Sequence, residues 1–143
     1  MKYLLDTCTI SEFTKPQGNS GVIEWLEKTD SEDLYLSVIT VGEVKKGINK
    51  LPASKKKQDL LFWLETLLED YQSRILPVDL AVMENWSLLV ANAEKKGEPI
   101  ASMDGIIAAV AYTHHLTLVT RNECDFYACN IPMINPWRCD AVP

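Results

Sequence analysis

Short apolar runs alternating with longer amphipathic segments restrict this chain more than any other feature. Residues 2–5, 34–37, 75–78 and 116–120 read as buried strands, with 131–134 as a short fifth. Helical patterns fill the intervals. A short one starts near Thr9 and breaks near Pro16 and Gly18, and a second covers 22–28. Ser37 can cap a third that runs to about Asn49. The fourth, 54–71, repeats Leu60, Leu64, Leu67, Leu68 and Tyr71 at helical spacing. Asp79 caps the fifth, which Lys95, Lys96 and Gly97 close. The sixth covers 102–114 and carries no charge from Ile106 to Tyr112. Strand–helix alternation of this kind implies an α/β fold. We expect one domain with a parallel sheet of four or five strands and helices on both faces.

In an open parallel sheet, function gathers beyond the carboxyl ends of the strands. Four acids fall there. Asp6 follows the first strand directly, and a carboxylate ending a buried strand must be paired, hydrogen-bonded or bound to metal. A helix cap would also account for it. Glu43 fits a capping box beginning at Thr40, unless the helix begins at Ser37 and leaves it interior. The neighbouring Gly42 then implies that something approaches the backbone closely. Asp104 opens the uncharged sixth helix, where it complements the dipole. Asp125 and Asn122 follow the fourth strand and can equally be turn residues. Acids drawn together at one sheet edge repel each other and require protonation or a divalent cation. Hard oxygen donors without a nearby histidine point to Mg²⁺ or Mn²⁺.

Bulk properties narrow the function. At 143 residues and 47% hydrophobic, the chain can bury a core without disulfide or metal staples. No apolar run is long enough to span a bilayer, and the beginning of the chain does not read as a secretion signal. We therefore expect a cytoplasmic protein in which Cys8, Cys124, Cys129 and Cys139 are reduced thiols rather than zinc ligands. The net charge of −6 argues against nucleic-acid binding by overall field. Lys45, Lys46, Lys50 and Lys55 to Lys57 nevertheless crowd one stretch, either as a solvated helix surface or as a basic rim beside an acidic pocket. His114 and His115 end a helix, where dipole complementarity is their default role. The tryptophans read as core or interface residues. There is no dinucleotide glycine fingerprint and no Walker loop. Cys8 stands where a haloacid dehalogenase-type phosphatase needs its second aspartate, and no lysine ends the fourth strand as a phospho-receiver would require.

Four blocks carry a resemblance: Tyr3-Leu4-Leu5-Asp6-Thr7; Ser37-Val38-Ile39-Thr40-Val41-Gly42-Glu43 with Lys46-Gly47-Ile48; Ala101-Ser102-Met103-Asp104-Gly105-Ile106-Ile107-Ala108-Ala109; and Leu118-Val119-Thr120-Arg121-Asn122 with Asp125-Phe126. With the closing Ile134-Asn135-Pro136-Trp137, the chain resembles PIN-domain proteins, most of all VapC toxins of bacterial toxin–antitoxin pairs. The resemblance implies a Mg²⁺-dependent endoribonuclease that cleaves RNA, is held inactive by a VapB-type antitoxin and forms a homodimer. It implies that Asp6, Glu43, Asp104 and Asp125 are the catalytic, metal-holding acids. Thr7, Thr120 and Asn122 would lie behind them, and Lys45, Lys46 and Lys50 would meet the RNA. One position departs from the pattern, because Cys8 stands where the family usually has asparagine. The alternative is a degenerate PIN domain that binds RNA or a partner without cutting.

Overall fold

The computed structural model describes residues 1–137, so Cys139 lies outside the described residues. Five strands form one parallel sheet in the order β3-β2-β1-β4-β5: β1 (Tyr3–Leu5), β2 (Leu34–Ser37), β3 (Ile75–Leu76), β4 (Thr117–Val119) and β5 (Met133–Ile134). The helices are α1 (Thr7–Glu12), α2 (Ser20–Lys28), α3 (Val38–Asn49), α4 (Lys55–Asp70), α5 (Leu80–Lys95) and α6 (Ser102–Thr113). Among the described residues, no helix is long and apolar enough to cross a membrane.

Alternation along the strands gives the sheet two apolar faces. Leu4 and Leu118 join Val82 of α5 and Ile107 to Ala111 of α6 in one core cluster. Leu5 and Val119 turn the other way, with Ile10, Leu34 and Leu36, and take Trp25, Leu26, Trp63 and Leu67 of α2 and α4 against them. The uncharged run of α6 is buried from Ile107 to Ala111, as its composition requires. The chain works outward from β1 to β2 and β3, then returns to the other side of β1 for β4 and β5. The topological switch point therefore lies between β1 and β4.

Local chemistry sets most boundaries. Ser37, Ser54 and Asp79 cap α3, α4 and α5 by accepting from the N–H groups of Thr40, Lys57 and Val82. Gly97 takes φ +72° just beyond α5, a left-handed conformation that favours glycine. Two boundaries differ from expectation. The first helix begins at Thr7 rather than Thr9, because Asp6 caps it. The third strand stops at Leu76: Pro77 has no N–H for the ladder, and its neighbour β2 gives way to α3 after Ser37.

Gly42 also corrects the sequence reading. A Cβ built on it meets nothing within 4 Å, so nothing within this chain approaches closely enough to require a glycine in mid-α3. Gly42→Ala should therefore stabilise the protein by about 0.5–1 kcal/mol, through helix propensity and reduced unfolded-state entropy. An upward shift in the urea midpoint at unchanged slope checks this, and a downward shift would show an unseen constraint. Gly105 is a different case, for a Cβ there would lie 3.1 Å from Val90 Cγ2 and 3.2 Å from Trp86 Nε1. Its small size lets α5 and α6 pack closely.

Candidate acidic site

Parallel pairing puts the carboxyl ends of β1, β2 and β4 at one edge, and three of the four acids are carried by what leaves those ends. Asp6 follows β1, Glu43 lies in the second turn of the helix leaving β2, and Asp125 closes a single 3₁₀ turn (Glu123–Asp125) shortly after β4. Asp104 comes from the first turn of α6. Ala101 precedes that helix without a side-chain cap.

Asp6 is both of the things its position allowed. Its Oδ1 accepts from the Thr9 N–H at 2.9 Å and from the Thr9 hydroxyl at 2.9 Å, which makes it the N-cap of α1. Only 5% of it is exposed, and burial raises its carboxyl above the usual aspartate range. Hydrogen bonds from the Thr120 hydroxyl, from Thr9 and from the Cys8 N–H work against that rise. The buried Thr120 hydroxyl also accepts from the Asn122 N–H at 3.0 Å. Glu43 is interior to α3, and its Oε1 accepts from the Thr7 hydroxyl at 2.7 Å across 36 residues of sequence. Thr7 and Thr120 thus support two different carboxylates.

Asp104 feels the other three acids. Burial raises its carboxyl first, and the negative charges of Asp125, Glu43 and Asp6, in that order, raise it further. Four carboxylates from four segments therefore lie within one electrostatic neighbourhood. They do not share one cavity. Asp104 and Asp125 line a hollow of about 390 Å³ with Ala101, Cys124 and Tyr127. Glu43 and Thr7 line a groove of about 310 Å³ with Ser11, Gly47, Leu60 and Trp63. Among the described residues, no three His, Cys, Asp or Glu side chains stand ready to close on a metal ion. The donors fit a loosely held hard cation nonetheless. All four are carboxylates, their mutual repulsion is relieved by a positive charge, and Mg²⁺ takes one or two carboxylates while keeping several waters.

Cys8 contacts its surroundings as a thiol. Its Sγ accepts from Asn122 Nδ2 at 3.3 Å, and burial followed by the Asp6 charge raises its proton affinity. Burial and then Asp104 push the Cys129 thiol up to about 11, so it stays protonated at neutral pH. Lys45 and Lys46 are exposed on α3, and Lys50 is exposed as its C-cap. Helical geometry puts Lys46 and Lys50, three and seven residues on, near the Glu43 side of that helix and turns Lys45 away.

Sequence reasoning missed Glu12, which is 6% exposed. Its Oε1 accepts from the Asn19 N–H at 3.0 Å and its Oε2 lies 2.8 Å from Lys15 Nζ. Burial opposes its ionisation, but Lys15, the Asn19 amide and Arg121 together hold the carboxyl below the usual glutamate range. The only signal available was its spacing, three residues past Thr9 and six past Asp6, and α1 is too short to show a period.

This architecture matches known proteins. The PIN domain family matches residues 3–128. The toxin FitB of Neisseria gonorrhoeae (strain ATCC 700825 / FA 1090) is 42% identical over 136 residues, which cover 94% of this chain and 98% of FitB. VapC ribonuclease Y4jK of Sinorhizobium fredii (strain NBRC 101917 / NGR234) is 37% identical over 136 residues, covering 94% of this chain and 97% of that protein. A chain in the solved structure of FitAB bound to an IR36 DNA fragment superposes with a TM-score of 0.91 at 40% identity, covering 94% of this chain and 95% of its own.

Proposed function

Because this chain belongs to the PIN-domain family, we propose that it is the toxin of a VapBC-type toxin–antitoxin pair, a Mg²⁺-dependent endoribonuclease that hydrolyses RNA phosphodiester bonds. The observation that carries this reading is the carboxyl of Asp104, which burial and three other acids together disfavour as a free anion. A fold does not gather four acidic side chains round one point for stability, since their like charges oppose one another unless a cation or proton relieves them.

In this reading Asp6 and Asp104 hold a Mg²⁺ ion, for which Mn²⁺ can substitute, and Asp125 and Glu43 complete its surroundings. When bound, the ion offsets the negative field that would otherwise repel RNA and polarises the phosphodiester to be cut. The remaining work belongs to the chain. The Thr7 hydroxyl fixes Glu43 through Oε1 at 2.7 Å, so the other carboxylate oxygen can orient the attacking water and accept its proton. Thr9 and Thr120 hold Asp6 in one rotamer, so the site does not have to order it when substrate arrives. Asn122 is tied to Cys8 and Thr120, which keeps the loop bearing Asp125 close to β1. Lys46 and Lys50 lie along the approach to Glu43 and attract the RNA backbone without reading its sequence.

By the same reading the protein works in the cytoplasm as a homodimer and is silenced by a small VapB-type antitoxin. Its relative FitB is named a toxin, and the similar FitAB chain was captured in a complex with DNA. The test is incubation of the purified protein with 5′-labelled single-stranded RNA. Discrete fragments should form with Mg²⁺ or Mn²⁺ and none in EDTA. RNA binding without cleavage under every condition would favour a non-catalytic scaffold, and equal cleavage in EDTA would contradict the metal dependence.

A further inference from the structure

We infer that Lys15 and Arg121, organised by the buried carboxylate of Glu12, form a phosphate clamp beside Asp6 that grips the RNA strand next to the bond being cut. The inference rests on the ribonuclease reading and adds to it a binding subsite distinct from the lysines of α3.

Glu12 is the anchor. A carboxylate with 6% exposure is costly unless it is paired, and Lys15 is what pairs it, with Nζ 2.8 Å from Oε2. The lysine side chain remains half exposed, and an ammonium with one donor turned inward still has two for a ligand. The other Glu12 oxygen accepts from the Asn19 N–H and ties down the turn between α1 and α2 that carries Lys15. Lys15 is therefore held in place rather than left to wander over the surface.

Arg121 arrives from the far end of the sequence. It stands between Thr120 and Asn122, the two residues that contact Asp6 and Cys8. Its carbonyl is held by the Asn135 amide at 3.4 Å, while its guanidinium is exposed and makes no hydrogen bond or ion pair among the described residues. Its neighbour Asn122 donates to Cys8 Sγ at 3.3 Å, which brings this loop against α1, and Arg121 acts on the same Glu12 carboxylate that Lys15 pairs at 2.8 Å. Two residues more than a hundred positions apart thus put positive charge on the same flank of the acid site.

That placement matters in a chain with 14 basic and 20 acidic residues, whose overall field repels a polyanion. A guanidinium presents a planar fork suited to two phosphate oxygens, and an ammonium adds a point charge beside it. By contrast, among the described residues no hydrogen bond or ion pair holds the side chain of Lys45, Lys46 or Lys50. Those lysines supply field, whereas Lys15 and Arg121 supply position.

The test is equilibrium binding of fluorescein-labelled single-stranded RNA to full-length Asp104→Asn protein across a KCl series. Arg121→Gln should weaken binding about 5–10-fold and reduce the slope of log K against log [KCl] by about 0.7, the loss of one phosphate contact. The double variant Glu12→Gln/Lys15→Gln, which leaves no buried charge unpaired, should do the same. Arg121→Lys should recover part of the loss, and Lys56→Gln, at an exposed position in the first turn of α4, should stay within about twofold of the parent. In the otherwise unaltered enzyme, Arg121→Gln should raise KM more than it lowers kcat. If the parent binds RNA but neither Arg121→Gln nor the double variant changes affinity or slope, the clamp is wrong and the ribonuclease reading stands. If the parent binds no RNA, the ribonuclease reading fails and the clamp falls with it.

Discussion

Asp104→Asn should lower RNA cleavage by at least about 100-fold and at the same time make the protein more stable. Both effects have one cause. Burial and the charges of Asp125, Glu43 and Asp6 hold the folded carboxyl above the 3.8 of a free aspartate, so the folded state binds this proton more tightly than the unfolded chain. The contribution of Asp104 to stability is therefore fully present below pH 3.8 and is lost as pH rises through the folded value. Asparagine has nothing to lose in that window. The stability gap in favour of the variant should be largest near neutral pH, shrink on acidification and appear as a melting midpoint higher by roughly 2–5 °C at pH 7. Thermal unfolding across a pH series, run beside the cleavage assay, checks both halves. A variant that is less stable at pH 7 would show that Asp104 serves the fold instead.

Asp6 separates the two roles that meet at one carboxylate. Asparagine caps a helix as well as aspartate does, so Asp6→Asn keeps an acceptor for the Thr9 N–H and removes only the charge. Cleavage should fall by at least about 100-fold while stability stays within about 1 kcal/mol. Asp6→Ala removes the acceptor too. It leaves the buried Thr9 N–H without a partner and should cost about 1–2 kcal/mol, the loss of a helix cap. Urea unfolding of the two variants distinguishes them. Wild-type cleavage by Asp6→Asn would reduce Asp6 to a helix cap and remove it from the chemistry.

The divided role of Asp6 shows where sequence reading succeeds and where it stops. Caps are local, so Ser37 and Asp79 marked their helices, the apolar spacing marked the fourth to within a residue at each end, and the uncharged stretch after Asp104 announced a buried helix. Strand order follows less directly, but parallel crossovers leave few choices, and the four acids were expected at one edge because every strand points its carboxyl end that way. Contacts between distant segments carry no such mark. The bond from Thr7 to Glu43 spans 36 residues, and nothing in either neighbourhood announces it. Glu12 looks like any polar residue of a short helix until the turn after α1 folds back and covers it. Gly42 was misread because a glycine in mid-helix has two explanations, close approach or mere tolerance, and only the space around it decides. The division of the acids between a groove and a hollow also depends on packing between helices, which the pattern of one chain does not encode.

Calorimetric titration of Mg²⁺ into the wild-type protein and into Asp6→Asn, Glu43→Gln and Asp104→Asn asks whether the acids act as a set. The account predicts saturable binding to the wild type, weakened by about tenfold or more in Asp6→Asn and Asp104→Asn and by a smaller factor in Glu43→Gln. Wild-type protein that takes up no Mg²⁺, or binding left unchanged by all three substitutions, would contradict it.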